Sequence, residues 1–375
     1  MKIGKIAVVV GTRPTFIELA PIIHELKKTG IEIIIYHTGQ HYDKEMSSVF
    51  LDQLDIPQPS ENLNAGGGTF SEQVSAILAG SEKLLEKDKP DLLVVEGDTN
   101  TAFASALAAP GKQVPVVHVE AGCRSFDKSL PEEVNRVLIS HITDVHFPPT
   151  PNCKQNLINE GIREESIGIV GHPIVDSVNL VKSKLPDSSK LGFDIEKGKY
   201  CYVTVHRNFN TDDPSRLEYI LEELARTAGE RPLVFPVHPR TRSRIEQFGL
   251  EKYLKNIKAI QPVDYITSLS LTKDAYAVIS DSGGLTKESC IFGVPYVSLR
   301  PNTEWVETLT GYANQLAFAK GSTIRGCIEN LEKNYDTARK SMGSLQGLLG
   351  SVGLSATIAR QISEIEIGKL NPQRQ

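Results

Sequence analysis

Three carboxylates are placed where chemistry is done. Asp98 lies in Val94-Val95-Glu96-Gly97-Asp98-Thr99, Glu120 in His118-Val119-Glu120-Ala121-Gly122-Cys123-Arg124, and Glu132 in Pro131-Glu132-Glu133-Val134-Asn135-Arg136. The runs 92–95 and 114–119 are short, apolar and β-branched, the pattern of buried parallel strands. In open α/β sheets, ligands sit beyond the carboxyl ends of the strands. Asp98 and Glu120 are therefore expected to look into one cleft, with Glu132, opening the next helix, within reach of it. Arg124 and Arg136 nearby suit acid/base work on a polar, anionic substrate. Each carboxylate also has a structural reading. Asp98 can cap the helix that begins near Thr101, and Glu132 and Glu133 can be favourable first-turn charges behind Pro131. Joint placement at one cleft tips the balance to function.

The second half of the chain carries an anion site. Ser280-Asp281-Ser282-Gly283-Gly284 follows the expected strand 275–279 and opens a helix, so backbone N–H groups and the helix dipole converge there. Glu288, one turn further on, would oppose a phosphate but can accept hydrogen bonds from a ribose. Val205-His206-Arg207 and Val237-His238-Pro239-Arg240 end two other strands. Two histidines and two arginines on one rim suit a diphosphate; both histidines could instead cap or anchor loops, but their place at strand ends facing a domain cleft favours ligand contact.

The elements that must position these groups alternate along the chain. Strand 6–10, a helix opened by Gly11-Thr12-Arg13-Pro14 and capped at Gly30, and strand 31–37 make a βαβ opening. Helix 71–87, strand 92–95, strand 144–147, helix 151–160 and strand 167–170 follow. The loop Thr38-Gly39-Gln40-His41-Tyr42-Asp43 leaves the second strand's carboxyl end. The glycines of 62–69 lack dinucleotide-binding spacing. A polar stretch at 171–197 marks the junction. Strands at 200–205, 232–237, 257–260, 275–279 and 295–298 then alternate with helices at 214–227, 240–247, 265–271 and 284–292, and three more helices near 322–331, 334–348 and 354–367 end the chain. The fold class is α/β, with an N-terminal Rossmann-like domain over 1–175, a C-terminal one over 195–350, and a helix and tail over 351–375. The two domains are expected to face each other across a cleft.

A length of 375 residues favours two domains. A net charge of −5 gives no basic field, which argues against nucleic-acid binding. The five cysteines are scattered without metal-ligand spacing, as in a reducing compartment. The N-terminus runs into a strand without a signal-peptide pattern, and no apolar run approaches the roughly 20 residues of a membrane span. A cytoplasmic protein is the expectation.

Six strings carry a resemblance: Gly11-Thr12-Arg13-Pro14, Gly97-Asp98-Thr99, His118-Val119-Glu120-Ala121-Gly122, Pro131-Glu132-Glu133-Val134-Asn135-Arg136, Val205-His206-Arg207 and Ser280-Asp281-Ser282-Gly283-Gly284. In this order, over nearly the whole chain, they resemble the non-hydrolysing UDP-N-acetylglucosamine 2-epimerases. The resemblance implies two Rossmann-like domains of the GT-B type, a homodimer, and UDP held mainly by the C-terminal domain. It implies inversion at carbon 2 through elimination of UDP and its re-addition, with no metal or nicotinamide. Asp98, Glu120 and Glu132 match the family's catalytic positions. Arg13 and His206 match positions near the diphosphate, where His206 can also assist the leaving group. Ser282 and Gly283 match phosphate-binding positions and Glu288 the ribose-binding one; Arg136, His238 and Gly284 complete the expected substrate set.

Two departures bear on the substrate. Family members usually carry Glu and Lys where this chain has Thr15 and Glu18, which reverses a local charge near substrate. Glu18 either points to solvent or marks a changed sugar or lost turnover. Trp305 and Val306, in Asn302-Thr303-Glu304-Trp305-Val306-Glu307, stand where many members have Arg-Pro, and this form resembles relatives acting on UDP-linked diacetamido uronic acids. The competing readings are therefore the same chemistry on such a uronic acid, a hydrolysing 2-epimerase, and a catalytically silent nucleotide-sugar sensor.

Overall fold

A computed structural model describes residues 3–40, 51, 53–229 and 231–370. The chain divides into two units, the first made of 1–180 and 348–375 and the second of 181–347.

In the first unit, β1 (Lys5–Val10), β2 (Glu32–His37), β3 (Glu61–Asn62), β4 (Leu92–Glu96), β5 (Val116–Val119) and β6 (Val145–Phe147) form one parallel sheet in the order β3-β2-β1-β4-β5-β6. This is the doubly wound order, whose direction reverses between β1 and β4. Apart from Lys5 at the start of β1, the central strands are buried because helices cover both faces, so they read as continuous apolar runs rather than alternating ones. Val9, Leu93, Val95, Ala102 and Ile139 share the core on one face. The helix Arg13–Lys28 starts at Thr12 rather than at Pro14 alone. Thr15 Oγ1 accepts the N–H groups of Gly11 and Thr12 at 3.1 and 3.2 Å and donates to the Thr12 carbonyl. Thr15 thus closes the helix end through its hydroxyl. Gly11 must be glycine, since a Cβ there would meet the hydroxyls of Thr38 and Thr101 at 2.1 and 2.2 Å.

The expected strand 167–170 shrinks to one parallel bridge, between His146 and Ile167. There the N–H of Ile169 donates to Gln361 Oε1 at 3.0 Å, so a side chain takes the place of a ladder partner. Gln361 belongs to the helix Leu354–Ser363, which returns to the first unit and packs on the helix Arg13–Lys28. Asp176 fixes the return by accepting the N–H groups of Gly353 and Ser355 at 2.6 and 2.7 Å.

In the second unit, β7 (Cys201–Thr204), β8 (Leu233–Pro236), β9 (Lys258–Ile260), β10 (Ala277–Ser280), β11 (Tyr296–Ser298) and β12 (Asn314–Leu316) make a parallel sheet in the order β12-β11-β10-β7-β8-β9. The order repeats that of the first sheet, with the reversal between β7 and β10. Val203, Val205, Phe235 and Ile279 pack on one face with the helix Pro214–Ala228, and Tyr202, Val234, Val278 and Leu285 on the other. The strand Asn314–Leu316 and the helix Ile174–Lys182 are additions to the elements legible in sequence.

Candidate active site

The two reversal points place the candidate residues. In the first unit they follow β1, β4 and β5; in the second they follow β7, β8 and β10.

Asp98 follows β4 and is ion-paired to Arg136 Nη1. It does not cap the next helix. Thr99 does, accepting the N–H of Ala102 at 3.2 Å. Arg136 is buried and divides its donors among Asp98, Glu133 Oε2 at 2.8 Å and Ser125 Oγ at 3.3 Å. It therefore orients carboxylates, which leaves it little capacity for a substrate anion. Asn135 reinforces the same loop by donating from Nδ2 to the Asp98 carbonyl at 2.9 Å. Of the two glutamates behind Pro131, Glu133 is buried and fixes structure: it accepts from the N–H groups of Ser125 and Phe126 and from Arg136. Burial works to raise its carboxyl, but the Ser125 N–H, the Arg136 guanidinium and the Phe126 N–H outweigh it and hold it below the usual range. Glu132, half-buried on the same first turn, leaves that task to its neighbour.

Glu120 follows β5 with φ +65°, a left-handed conformation that a non-glycine residue rarely takes. Such a conformation aims a side chain where a continuing strand would not. Gly122, at φ +81°, must be glycine because a Cβ would lie 2.2 Å from the Cys153 carbonyl. His118 holds the adjacent loop through Nε2 and the Gly97 carbonyl at 2.8 Å, and burial pushes its ring down to about 3, so it is neutral. Around Glu120 stand Glu18, Glu96 and His172, one donor atom of each within 4.8 Å of all the others. Glu18 is 1 % exposed and does not face solvent. Among the described residues this is the group close enough to hold a cation.

Arg124 is committed to structure, forking onto Glu160 at 2.8 and 2.7 Å and bonding the Cys123 carbonyl and Ser140. Cys123 is buried with its sulfur 3.4 Å from that of Cys153, a packing role, and burial pushes its thiol up. Arg13, the first residue of its helix, is half-buried. In the loop after β2, Gln40 accepts from the N–H and hydroxyl of Thr101 at 2.9 and 2.7 Å; His41, Tyr42 and Asp43 lie outside the described residues.

In the second unit Ser282 caps the helix Gly283–Phe292, accepting the Leu285 N–H at 3.4 Å. The N–H groups of Gly283 and Gly284 lie in the first turn, where no intrahelical acceptor exists. Asp281 is wholly buried and points the other way. It accepts from the N–H groups of His206 (3.1 Å) and Arg207 (2.9 Å) and from Asn210 Nδ2 (3.0 Å), tying the loop after β7 to the turn after β10. His206 is left partly exposed, with its ring 5.9 Å from that of His238. His238 caps the helix Pro239–Phe248 through Nδ1, so the loop-anchoring reading holds for that ring nitrogen. Arg240 is engaged by Asp212 at 2.5 Å. Glu288 is buried on the Ser282 helix. Trp305 is buried beside Gly283, with Lys287 Nζ 5.3 Å from its ring centre.

Glu96, Glu133, His172 and Asp281 were not picked out as site residues from sequence. Each ends or follows an apolar run or a turn already recognised, so the signal was position; what they touch is set by tertiary contacts.

Two Rossmann-like units in one chain, each with polar groups at its reversal point, define a protein of the GT-B type. The chain belongs to the UDP-N-acetylglucosamine 2-epimerase family, whose model matches residues 24–362. It is 43 % identical over 343 residues to the UDP-N-acetylglucosamine 2-epimerase of Methanocaldococcus jannaschii, covering 88 % of this chain and 94 % of that one. The crystal structure of that organism's enzyme in complex with UDP-GlcNAc and UDP superposes with a TM-score of 0.82 at 39 % identity, covering 96 % and 99 % of the two chains. A UDP-2,3-diacetamido-2,3-dideoxy-D-glucuronate 2-epimerase of Pseudomonas aeruginosa is 38 % identical over 347 residues, 92 % and 96 % of the chains. Among the described residues no helix is long and apolar enough to cross a membrane.

Proposed function

We propose that this chain interconverts UDP-N-acetylglucosamine and UDP-N-acetylmannosamine. The proton on carbon 2 has no adjacent carbonyl to acidify it, so direct inversion is disfavoured. A carboxylate instead takes that proton, the C–H electron pair forms the carbon 1–carbon 2 double bond, and the carbon 1–oxygen bond breaks with its electrons leaving on UDP. Protonation of carbon 2 on the opposite face and return of UDP to carbon 1 complete the inversion. The route needs acid/base groups on both faces and donors for the departing diphosphate.

The observation that carries this reading is the pair of carboxylates at the first unit's reversal point: Asp98 held by Arg136, and Glu120 in a left-handed conformation. Glu132 is the third acid/base candidate. Ser282, Gly283, Gly284, His206 and His238 hold the diphosphate and Glu288 the ribose; Arg13 is a substrate-binding candidate of the first unit. Arg136 acts through Asp98 rather than on the substrate. The protein works as a homodimer in the cytoplasm.

Incubation with UDP-N-acetylglucosamine in deuterated water tests the reading. Deuterium at carbon 2 of both epimers is the expected result. Free N-acetylmannosamine with UDP would establish a hydrolysing enzyme, and binding without exchange a sensor. The buried Trp305 and the 38 % identity to the diacetamido-glucuronate 2-epimerase support a second reading, the same inversion on a UDP-diacetamido uronic acid. Exchange with that sugar nucleotide alone would select it.

A further inference from the structure

Glu18, Glu96, Glu120 and His172 reach one point from four segments: the helix Arg13–Lys28, the end of β4, the residue after β5, and the stretch before the helix Ile174–Lys182. Such a cluster can hold a cation or be tied together by a hydrogen-bonding imidazole, and His172 decides between them. Its Nδ1 accepts the N–H of Ile174 at 3.1 Å, so that nitrogen carries the lone pair and Nε2 carries the hydrogen. Nε2 lies 2.6 Å from Glu120 Oε2 and 3.4 Å from Glu18 Oε2. A ring nitrogen that donates to a carboxylate has no lone pair to offer a metal. Metal-bound histidines show the opposite pattern, with the distal N–H donated outward.

The imidazole is then a donor to the carboxylates around it. Two carboxylate charges at this separation repel by roughly 3–4 kcal/mol even at an effective dielectric of 20, so an N–H placed between them favours the arrangement. Glu120 is the cluster's most exposed acid, with a side chain 12 % exposed against 2 % for Glu18. It also accepts the short bond from His172, so Glu120 is the end of the chain of contacts that can face a substrate.

We propose that His172 and Glu18 are positioning residues for Glu120, a relay that runs from the Ile174 N–H through the imidazole to the carboxylate, with the Glu18 carboxylate 3.4 Å from the same Nε2. The relay locks the Glu120 side chain in its strained backbone setting and presents it to carbon 2 as the base. A cationic side chain in place of Glu18 would instead compete with His172 for the Glu120 carboxylate. This rests on the reading of Glu120 as an acid/base residue.

The test is steady-state kinetics with carbon-2 deuterium exchange on the full chain. His172→Leu should lower kcat about 30-fold or more with KM within about threefold, because a positioned base is lost and substrate binding is kept. His172→Gln, whose amide can donate to Glu120, should recover about tenfold of that loss. Glu18→Gln, which keeps an oxygen beside His172 Nε2, should retain more turnover than Glu18→Ala. Glu120→Gln is the reference. If it retains exchange, the base assignment itself fails. If it is inactive while His172→Leu turns over like the parent, the relay fails and the base assignment stands. Equal losses in Gln and Leu at 172, or Gln and Ala at 18, would also overturn the relay. Should His172→Leu not fold, the Glu18 pair carries the decision.

Discussion

The two sheets share a strand order and put their polar groups at equivalent reversal points, yet they build those groups from different materials. The first unit uses buried ionisable side chains that answer one another: Asp98 and Glu133 on Arg136, and Glu120 on His172. The second uses a helix N-terminus, small residues and imidazoles, with Asp281 as a hidden staple. Proton transfer needs groups whose charge changes, whereas holding a diphosphate needs above all fixed donors such as backbone N–H groups. Damage should accordingly appear in kcat when the first site is altered and in nucleotide affinity when the second is.

The sharpest test of that division is loss of the acids. Asp98→Asn and Glu120→Gln should each slow deuterium exchange by a factor of about 100 or more while UDP affinity, measured by calorimetry, stays within about threefold. If either variant lost UDP binding along with turnover, the two sites could not be separate in function.

Glu133→Gln should act on stability and turnover together. Removing one partner of a buried ion pair typically costs about 3–5 kcal/mol, and here it also releases Arg136 from one of its two carboxylates. Urea unfolding should show the loss, and kcat should fall because Asp98 is held by the same guanidinium. An unchanged midpoint would mean that the Ser125 and Phe126 N–H groups, not Arg136, set this loop.

The same contrast governs what the sequence disclosed. The strands, the turn after β10 and the positions of Asp98 and Glu120 were readable, because buried parallel strands are unbroken apolar runs and groups at their ends have nowhere to go but the sheet edge. Pairings were not readable. Glu132 and Glu133 are adjacent and chemically identical, and only the path of the 125–126 loop decides which of them meets Arg136. Glu18 could face solvent or pocket until the helix Arg13–Lys28 was docked by the C-terminal return. Arg124 and Arg240 were candidate anion binders until Glu160 and Asp212 came within reach of them.

Asp281→Asn should separate the second site from the first. The carboxylate accepts N–H groups from both His206 and Arg207, and an amide can accept them less well, by roughly 1–2 kcal/mol for charge-assisted bonds. UDP affinity should fall about tenfold as the His206 loop loosens, with the pH dependence of kcat unaltered. A kcat effect without weaker UDP binding would place Asp281 in the chemistry.

Acid should expose the first site through His118. Its ring is neutral when folded and pushed down to about 3 by burial, against an ordinary value of 6.5. Between those values the unfolded chain binds a proton that the folded one refuses. The stability from this group is therefore complete above pH 6.5 and declines as pH falls toward 3, by up to about 1.4 kcal/mol per pH unit. His118→Gln, which can keep a bond to the Gly97 carbonyl, should flatten that part of the Tm profile. An equally steep profile would assign the acid sensitivity to His37 or His146, which burial also lowers.

The smallest effect expected is from Gly283→Ala. On the proposed reading the turn binds the diphosphate through backbone N–H groups, which alanine retains, so the added methyl is the whole perturbation. It would sit 3.0 Å from Glu304 Oε1, which is itself held by Arg300 at 3.1 Å and so gives way only slightly. UDP affinity should fall by a factor of about three to ten, with stability within about 0.5 kcal/mol of the parent, since alanine is the better helix former. A loss of a hundredfold would mean that the phosphate lies against the Cα itself, making this turn as intolerant of change as the acids of the first unit and erasing the difference between the two sites.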